Sequence, residues 1–292
     1  MNARSAAVLL AAALSATSAA APQTTTFRSN TDLVPVYVSV RNGRTPVGNL
    51  SAGDFELRDR GVPQTISAAQ YEAVPVDVTL LVDTSASVIT SLDRFRSDVT
   101  TIVSNLQKQE QIRLITFDTD VRQLLPMQPP SDRPPVRRIQ LGDRTSLVDA
   151  VTFAMARAWR PDRRHLIFVF TDGYDTSSML GYRALPDLAG RIDGLLHIVL
   201  VQAGDILDPT SRTKMDALAA AAARTGGALY PPSVNNRDIV RAFNDAIDAF
   251  RHSYVVYYTP NGVDGPGWHD IAVRVKRQSS YTVRAREGYF GQ

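Results

Sequence analysis

The sequence predicts an α/β protein built on a doubly wound, mostly parallel sheet with helices on both faces, together with a small β unit. Three observations lead there. Four short, nearly unbroken apolar runs occur, "VDVTLLVD", "IRLITF", "HLIFVF" and "LLHIVLV", and strands read this way when helices cover both faces of a sheet. Segments with helical spacing lie between them. Two of the runs deliver an aspartate, Asp83 and Asp172, to the end of the chain direction, where open parallel sheets bind ligands.

Taken in order, residues 1–21 have the three-part pattern of a secretory signal peptide. Arg4 precedes an apolar stretch, and small residues end near Ala21, so cleavage is expected before Ala21 or Pro22. The apolar run is too short to span a bilayer. Residues 22–73 hold a polar linker and the small β unit, in which Val34, Val36, Val38 and Val40 alternate at period two and "FELRD" and "TISAA" flank a "DRGVP" turn. Residues 74–260 hold the large sheet. Its first helix places Leu92, Phe95, Val99, Ile102, Val103 and Leu106 on one face, a second groups Leu147, Val151, Ala154 and Ala158, and a third groups Ile239, Phe243, Ile247 and Phe250. Residues 261–292 contain a strand pair, "IAVRV" and "YTVRA". These strands either extend the large sheet or complete the N-terminal β unit; local pattern does not choose.

The formal charge is only +3 and the basic runs, "VRRIQ" and "RPDRRH", are short, so a solvated rim is favoured over nucleic-acid binding. The absence of cysteine excludes disulfides, thiolate nucleophiles and Cys-based metal sites. No Walker-type phosphate loop occurs, and His165, His197, His252 and His269 have no visible triad companions.

The chemistry concentrates in "DTSAS". Asp83, Ser85 and Ser87 lie within one turn after a strand, and Thr145 and Asp172 add a hydroxyl and a second carboxylate. Two carboxylates and three neutral hydroxyls form an all-oxygen, hard donor set suited to Mg²⁺ or Mn²⁺. Helix capping alone accounts for one or two of these residues, and Thr145 is equally suited to cap the helix through Val151. Asp118 and Asp120 read as turn formers. Asp149 suits the first turn of a helix, Asp175 either supports Asp172 or closes its turn, and Tyr174 is expected to be exposed.

"DTSAS" resembles the D-x-S-x-S element of the von Willebrand factor type A fold, Thr145 in "DRTSLVDA" resembles that family's separate threonine, and Asp172 in "FTDGYDTSS" its second aspartate. The resemblance covers about residues 75–260 and implies a Rossmann-like domain. It also implies a metal-ion-dependent adhesion site in which Asp83, Ser85, Ser87, Thr145 and Asp172 hold Mg²⁺ (or Mn²⁺ or Ca²⁺). The flanking strands resemble the Ig-like flank of secreted, type-A-related bacterial proteins of the acidobacterial type. The implied function is cation-dependent binding of a protein or other ligand that offers a carboxylate, in an exported, periplasmic or surface protein without enzymatic activity. An envelope scaffold with a structural ion stands as the alternative, and a metal-dependent phosphoryl hydrolase as a weaker one, because Ser85 sits where a phosphatase needs its acid. Where the family has paired glycines before the threonine, this sequence has Gly142, Asp143 and Arg144, so Arg144, with Tyr174, is expected near the partner.

Overall fold

The computed structural model describes residues 33–71, 75–131, 134–157, 163–201, 209–231, 238–263, 265–276 and 280–291. The expected signal peptide and Ala158 lie outside these residues, as does the side chain of Leu92.

The N-terminal strands are β1 (Val34–Asn42), β2 (Thr45–Pro46), β3 (Phe55–Asp59), β4 (Val62–Gln64) and β5 (Ile66–Tyr71). The large domain follows with β6 (Val76–Asp83), α1 (Leu92–Ser104), β7 (Gln111–Phe117), β8 (Val121–Gln128), α2 (Leu147–Ala156), β9 (Arg164–Thr171), α3 (Leu185–Ala189), β10 (Leu195–Leu200), α4 (Pro209–Thr225), β11 (Ala228–Tyr230) and α5 (Asp238–Arg251). The chain closes with β12 (Ser253–Tyr258), β13 (Gly267–Val275), β14 (Thr282–Ala285) and β15 (Gly288–Gly291).

The large sheet has the order β11-β10-β9-β6-β7-β8. Every pairing is parallel except that of β8, which returns antiparallel along β7 as an edge strand. Alternate residues of its strands feed two cores. Val78, Leu80 and Val82 of β6 pack with α1 and α5 through Phe95, Val99, Ile102, Phe243 and Ile247. Leu81 packs on the other face with Leu147 and Val151 of α2, Leu185 of α3 and Leu218 of α4. Burial on both faces is why the strands lack polar alternation. Chain order reverses between β6 and β9, because β7 lies on one side of β6 and the later strands on the other. That crevice is the topological switch point, the ligand position of such sheets.

The remaining strands form two antiparallel sheets, β14-β1-β12-β5 with β2 attached to β1, and β15-β13-β3-β4. They share one core, in which Val36, Val38 and Val40 meet Phe55, Leu57, Tyr254, Val256 and Tyr258. The two C-terminal strands thus complete the N-terminal β unit, and they do so in different sheets: β14 pairs with β1, and β13 with β3 and β15. Residues 253–258 also differ from the sequence-based boundary at 260. Their hydrogen bonds run to β1 and β5, so the large domain ends with α5. Inside the sandwich, buried Asp59 accepts hydrogen bonds from the hydroxyls of Tyr258 and Tyr289 and faces Nδ1 of His269 at 3.0 Å.

The even-numbered valines of β1 face the sandwich core, which turns Tyr37 towards the large domain, where its ring meets Phe250 of α5 edge-on at 5.9 Å. A second seam lies at Gly190, after α3, where any Cβ would meet the Trp268 ring of β13 at 2.5 Å. The junction of α4 and β11 is equally tight. A Cβ on Gly227 would lie 1.9 Å from the Leu196 carbonyl oxygen of β10, and backbone cannot swing aside as a side chain can. Gly227→Ala is therefore expected to cost about 3 kcal/mol, the upper end for overpacking, measured by urea unfolding; unchanged stability would show that β11 moves freely off β10.

Candidate metal centre

Asp83 ends β6, and Asp172 follows β9 directly, so both carboxylates stand at the switch point and are almost fully buried (0% and 2% exposed). Asp83 is held by hydroxyls on both sides. Oδ1 accepts from the Ser85 backbone N–H at 2.9 Å and from Ser85 Oγ at 2.6 Å, and Oδ2 accepts from Thr171 Oγ1 at 2.7 Å. Ser85 Oγ lies 3.0 Å from Ser87 Oγ. Burial pushes the Asp83 carboxyl up to about 7, against the lowering effect of the Ser85 and Thr171 bonds and with a further push from the Asp172 charge. Asp172 Oδ1 accepts the Tyr174 N–H at 3.0 Å, which turns the chain sharply after β9.

The Thr145 loop is tied to all three neighbouring strand tips. Gly142 N donates to Thr84 O at 2.8 Å, Ser146 N to Asp118 O at 2.8 Å, and Thr176 and Ser177 N to Thr145 O at 2.9 and 3.0 Å. The loop can approach because Gly142 has no side chain; a Cβ there would meet the Asp118 carboxyl carbon at 2.3 Å. Thr145 is buried, whereas Arg144 is exposed.

Several single-residue expectations resolve here. Thr84, between the two serines, turns away and donates to Phe117 O and Asp118. Asp118 and Asp120 act as turn formers: Asp118 accepts the Asp120 N–H and pairs with Arg122. Burial raises the Asp118 carboxyl, but Arg122 and that N–H outweigh it and hold it below its ordinary value. The N-cap of α2 is Ser146 rather than Thr145, and its side chain makes no capping bond. Asp175 supplies the cap instead, accepting Val148 N at 2.8 Å while its other oxygen closes the turn at Ser178. Asp149 reaches across to accept Met179 and Leu180 N, so it pins the β9 loop. Tyr174 is half-buried, not exposed, because the turn around Asp172 draws it inward. Thr171 is the residue the sequence concealed: a hydroxyl at the end of an apolar run, it steadies Asp83 and receives the Gly173 N–H at 3.0 Å. The histidines lie elsewhere, for example His165 at 2.8 Å from Thr79 Oγ1 and His197 beside Tyr230.

The donor set fits a hard divalent cation. Neither Asp83 nor Asp172 forms an ion pair with a basic side chain among the described residues, so two buried carboxylates share one crevice without counter-charge. Ser85 gives its proton to Asp83 and keeps oxygen lone pairs for a metal. Among the described residues no three His, Asp or Glu side chains converge, so a cation held here relies on hydroxyls for part of its coordination.

The von Willebrand factor type A domain model matches residues 78–174, which include all five candidate ligands, from Asp83 to Asp172. No curated protein matches the chain. Among solved structures the chain is similar to a von Willebrand factor type A protein from Catenulispora acidiphila, at 11% identity over 90% of this chain and 75% of that one, with a TM-score of 0.48. It is also similar to the ArnB paralog VWA2 from Sulfolobus acidocaldarius, at 11% identity over 87% and 75%, with a TM-score of 0.49. A third, proximal thread matrix protein 1 from the mussel byssus with a zinc-occupied MIDAS motif, aligns at 11% identity over 65% and 49%, with a TM-score of 0.49. The six-stranded sheet with its two helical layers carries this match, from within β6 to the turn that follows Asp172 after β9.

Proposed function

We propose that this is an exported binding protein that holds a divalent cation, Mg²⁺ or a substitute such as Mn²⁺ or Ca²⁺, and presents it to a carboxylate of a partner. Ser85, Ser87 and Thr145 would supply hydroxyl ligands, and Asp83 and Asp172 the negative charge that keeps the ion in place. The observation behind this reading is the pair of buried carboxylates at the switch point, unpaired with any basic side chain among the described residues, with the Ser85 and Thr171 hydroxyls on Asp83. Two carboxylates neutralise a dication without saturating it, so a third carboxylate from outside remains attractive. The ion would supply Lewis acidity when bound; the residues around it supply position and charge.

The rim offers a partner more than the ion. Arg144 is exposed beside Thr145, Tyr174 stands half-buried after Asp172, and Met179, 95% exposed, projects from the loop that Asp149 pins. Export rests on residues 1–21, and no helix among the described residues is long and apolar enough to cross a membrane.

The test is metal-dependent capture. Immobilised protein with Mg²⁺ is expected to retain a partner from envelope extract, to release it with EDTA, and to lose it in Asp172→Ala while calorimetry shows weakened Mg²⁺ binding. Retention indifferent to both EDTA and Asp172→Ala would sink the adhesion reading.

A further inference from the structure

A second concave site lies at the other end of the large sheet, where the β sandwich meets it. Its walls are the outward face of β1, the start of β10, β11, α5 and β14, and they enclose about 350 Å³, within the range of small-molecule sites. The register places Leu200 of β10 beside Thr171, while Leu195 of the same strand lines the cavity. Five residues of strand, roughly 17 Å, therefore separate it from the metal crevice.

The lining combines aromatic surface with cations. Tyr37, Tyr230 and Phe250 supply flat apolar area, and Arg41, Arg44, Arg284 and Arg286 supply positive charge, against Asp245 as the single carboxylate in the wall. Three of the arginines are offset locally. Arg41 pairs with Asp248 at 2.8 Å, Arg44 with Asp245 at 3.3 Å, and Arg286 lies 3.8 Å from Asp193. Arg284 forms no ion pair among the described residues and stands beside the Tyr230 hydroxyl. His197, also in the wall, adds no charge at neutral pH, since burial holds its imidazole far below the ordinary value, at about 3. The cavity thus keeps one positive charge over, beside three aromatic rings.

A guanidinium fork matches a carboxylate's two oxygens, and flat rings match a flat apolar body. We propose that this cavity binds a small aromatic monocarboxylate, its carboxylate on Arg284 and its ring among Tyr37, Tyr230 and Phe250. The Tyr230 hydroxyl is held beside this position, 3.1 Å from His197 Nδ1. The site draws on strands of both the sandwich and the large domain, so a bound ligand would also fasten one to the other.

Sodium benzoate, titrated by calorimetry into the full chain in EDTA, tests this without involving the metal crevice. The expected dissociation constant is about 1 mM, set by the ligand's small size. Benzyl alcohol, which keeps the ring and lacks the charge, is expected to bind about tenfold more weakly or not at all. Arg284→Gln, on the exposed edge strand β14, is expected to fold and to lose at least about tenfold in benzoate affinity. Ala249→Leu, which fills the cavity from α5, is expected to abolish binding. No benzoate binding by the wild type, equal binding of benzyl alcohol, or undiminished affinity in Arg284→Gln each overturns the proposal. Binding of phenyl phosphate but not benzoate overturns the carboxylate assignment in favour of a phosphate ester. Loss of folding in Arg284→Gln moves the same comparison to Arg284→Lys, which keeps the charge and loses the fork, and undiminished benzoate affinity there overturns the guanidinium assignment.

Discussion

Saturating Mg²⁺ is expected to raise the unfolding midpoint by about 5–10 °C, and Asp83→Ala is expected to erase that shift. A ligand at about a hundred times its dissociation constant adds about 2.7 kcal/mol to the folded state, and a domain of this size gains about 2–4 °C per kcal/mol. Asp83 is the residue to change because it is fully buried and both its oxygens hold hydroxyls of the site. Without a cation its charge is a burden, which is why its carboxyl is pushed up to about 7. The sign of the pH dependence follows. Between about pH 4 and pH 7 the unfolded chain releases this proton and the folded protein keeps it, so the metal-free protein loses stability as pH rises through that window, and the loss is complete above it. Asp83→Asn carries no such charge, so relative to the wild type in EDTA it is expected to gain stability from pH 4 to 7 while losing the Mg²⁺ response. Differential scanning calorimetry of both proteins, with Mg²⁺ and with EDTA, measures this. A Mg²⁺ shift that survives in both Asp83 variants would place the ion elsewhere.

The residues of the candidate site were easier to single out in the sequence than the fold around them. Asp83, Ser85 and Asp172 were legible because strands buried on both faces are unbroken apolar runs, and a polar residue at their end has few other reasons to be there. β8 was not legible as part of the sheet, since "VRQLLPMQ" is half-exposed and contains Pro126, which only an edge strand tolerates. α4 was missed because its alanine-rich stretch from Ala217 to Ala223 gives little amphipathic signal. The apolar strand "SYVVYY" was visible, but not its sheet. Partner choice among strands depends on residues two hundred positions away, as Val36 opposite Val256 illustrates. Thr171 was hidden for a simpler reason. One hydroxyl closing an apolar run looks like ordinary strand composition until Asp83 is found beside it.

Arg164→Ala is expected to be the most damaging single change away from the site, lowering stability by about 3–5 kcal/mol. Arg164 begins β9, yet it is 1% exposed, among the largest fully buried side chains. Its guanidinium donates to Phe250 O, at the end of α5, and to Ser253 Oγ, at the start of β12. It also lies over the rings of Tyr37 and Phe250, at 5.0 and 5.5 Å from their centroids. One side chain of the large sheet thus holds the last helix of that domain and two strands of the sandwich. Truncation would remove charged hydrogen bonds and leave a cavity, two penalties that act together, while Ser253 Oγ still donates to Phe250 O. Arg164→Met separates them: it restores most of the volume without a buried charge, so it is expected to cost about half as much. Urea unfolding at fixed Mg²⁺ measures both. Equal losses in the two variants would assign the effect to the hydrogen bonds alone, and a loss below about 1 kcal/mol in Arg164→Ala would show that the sandwich is fastened by other contacts, such as Trp268 packed over Gly190.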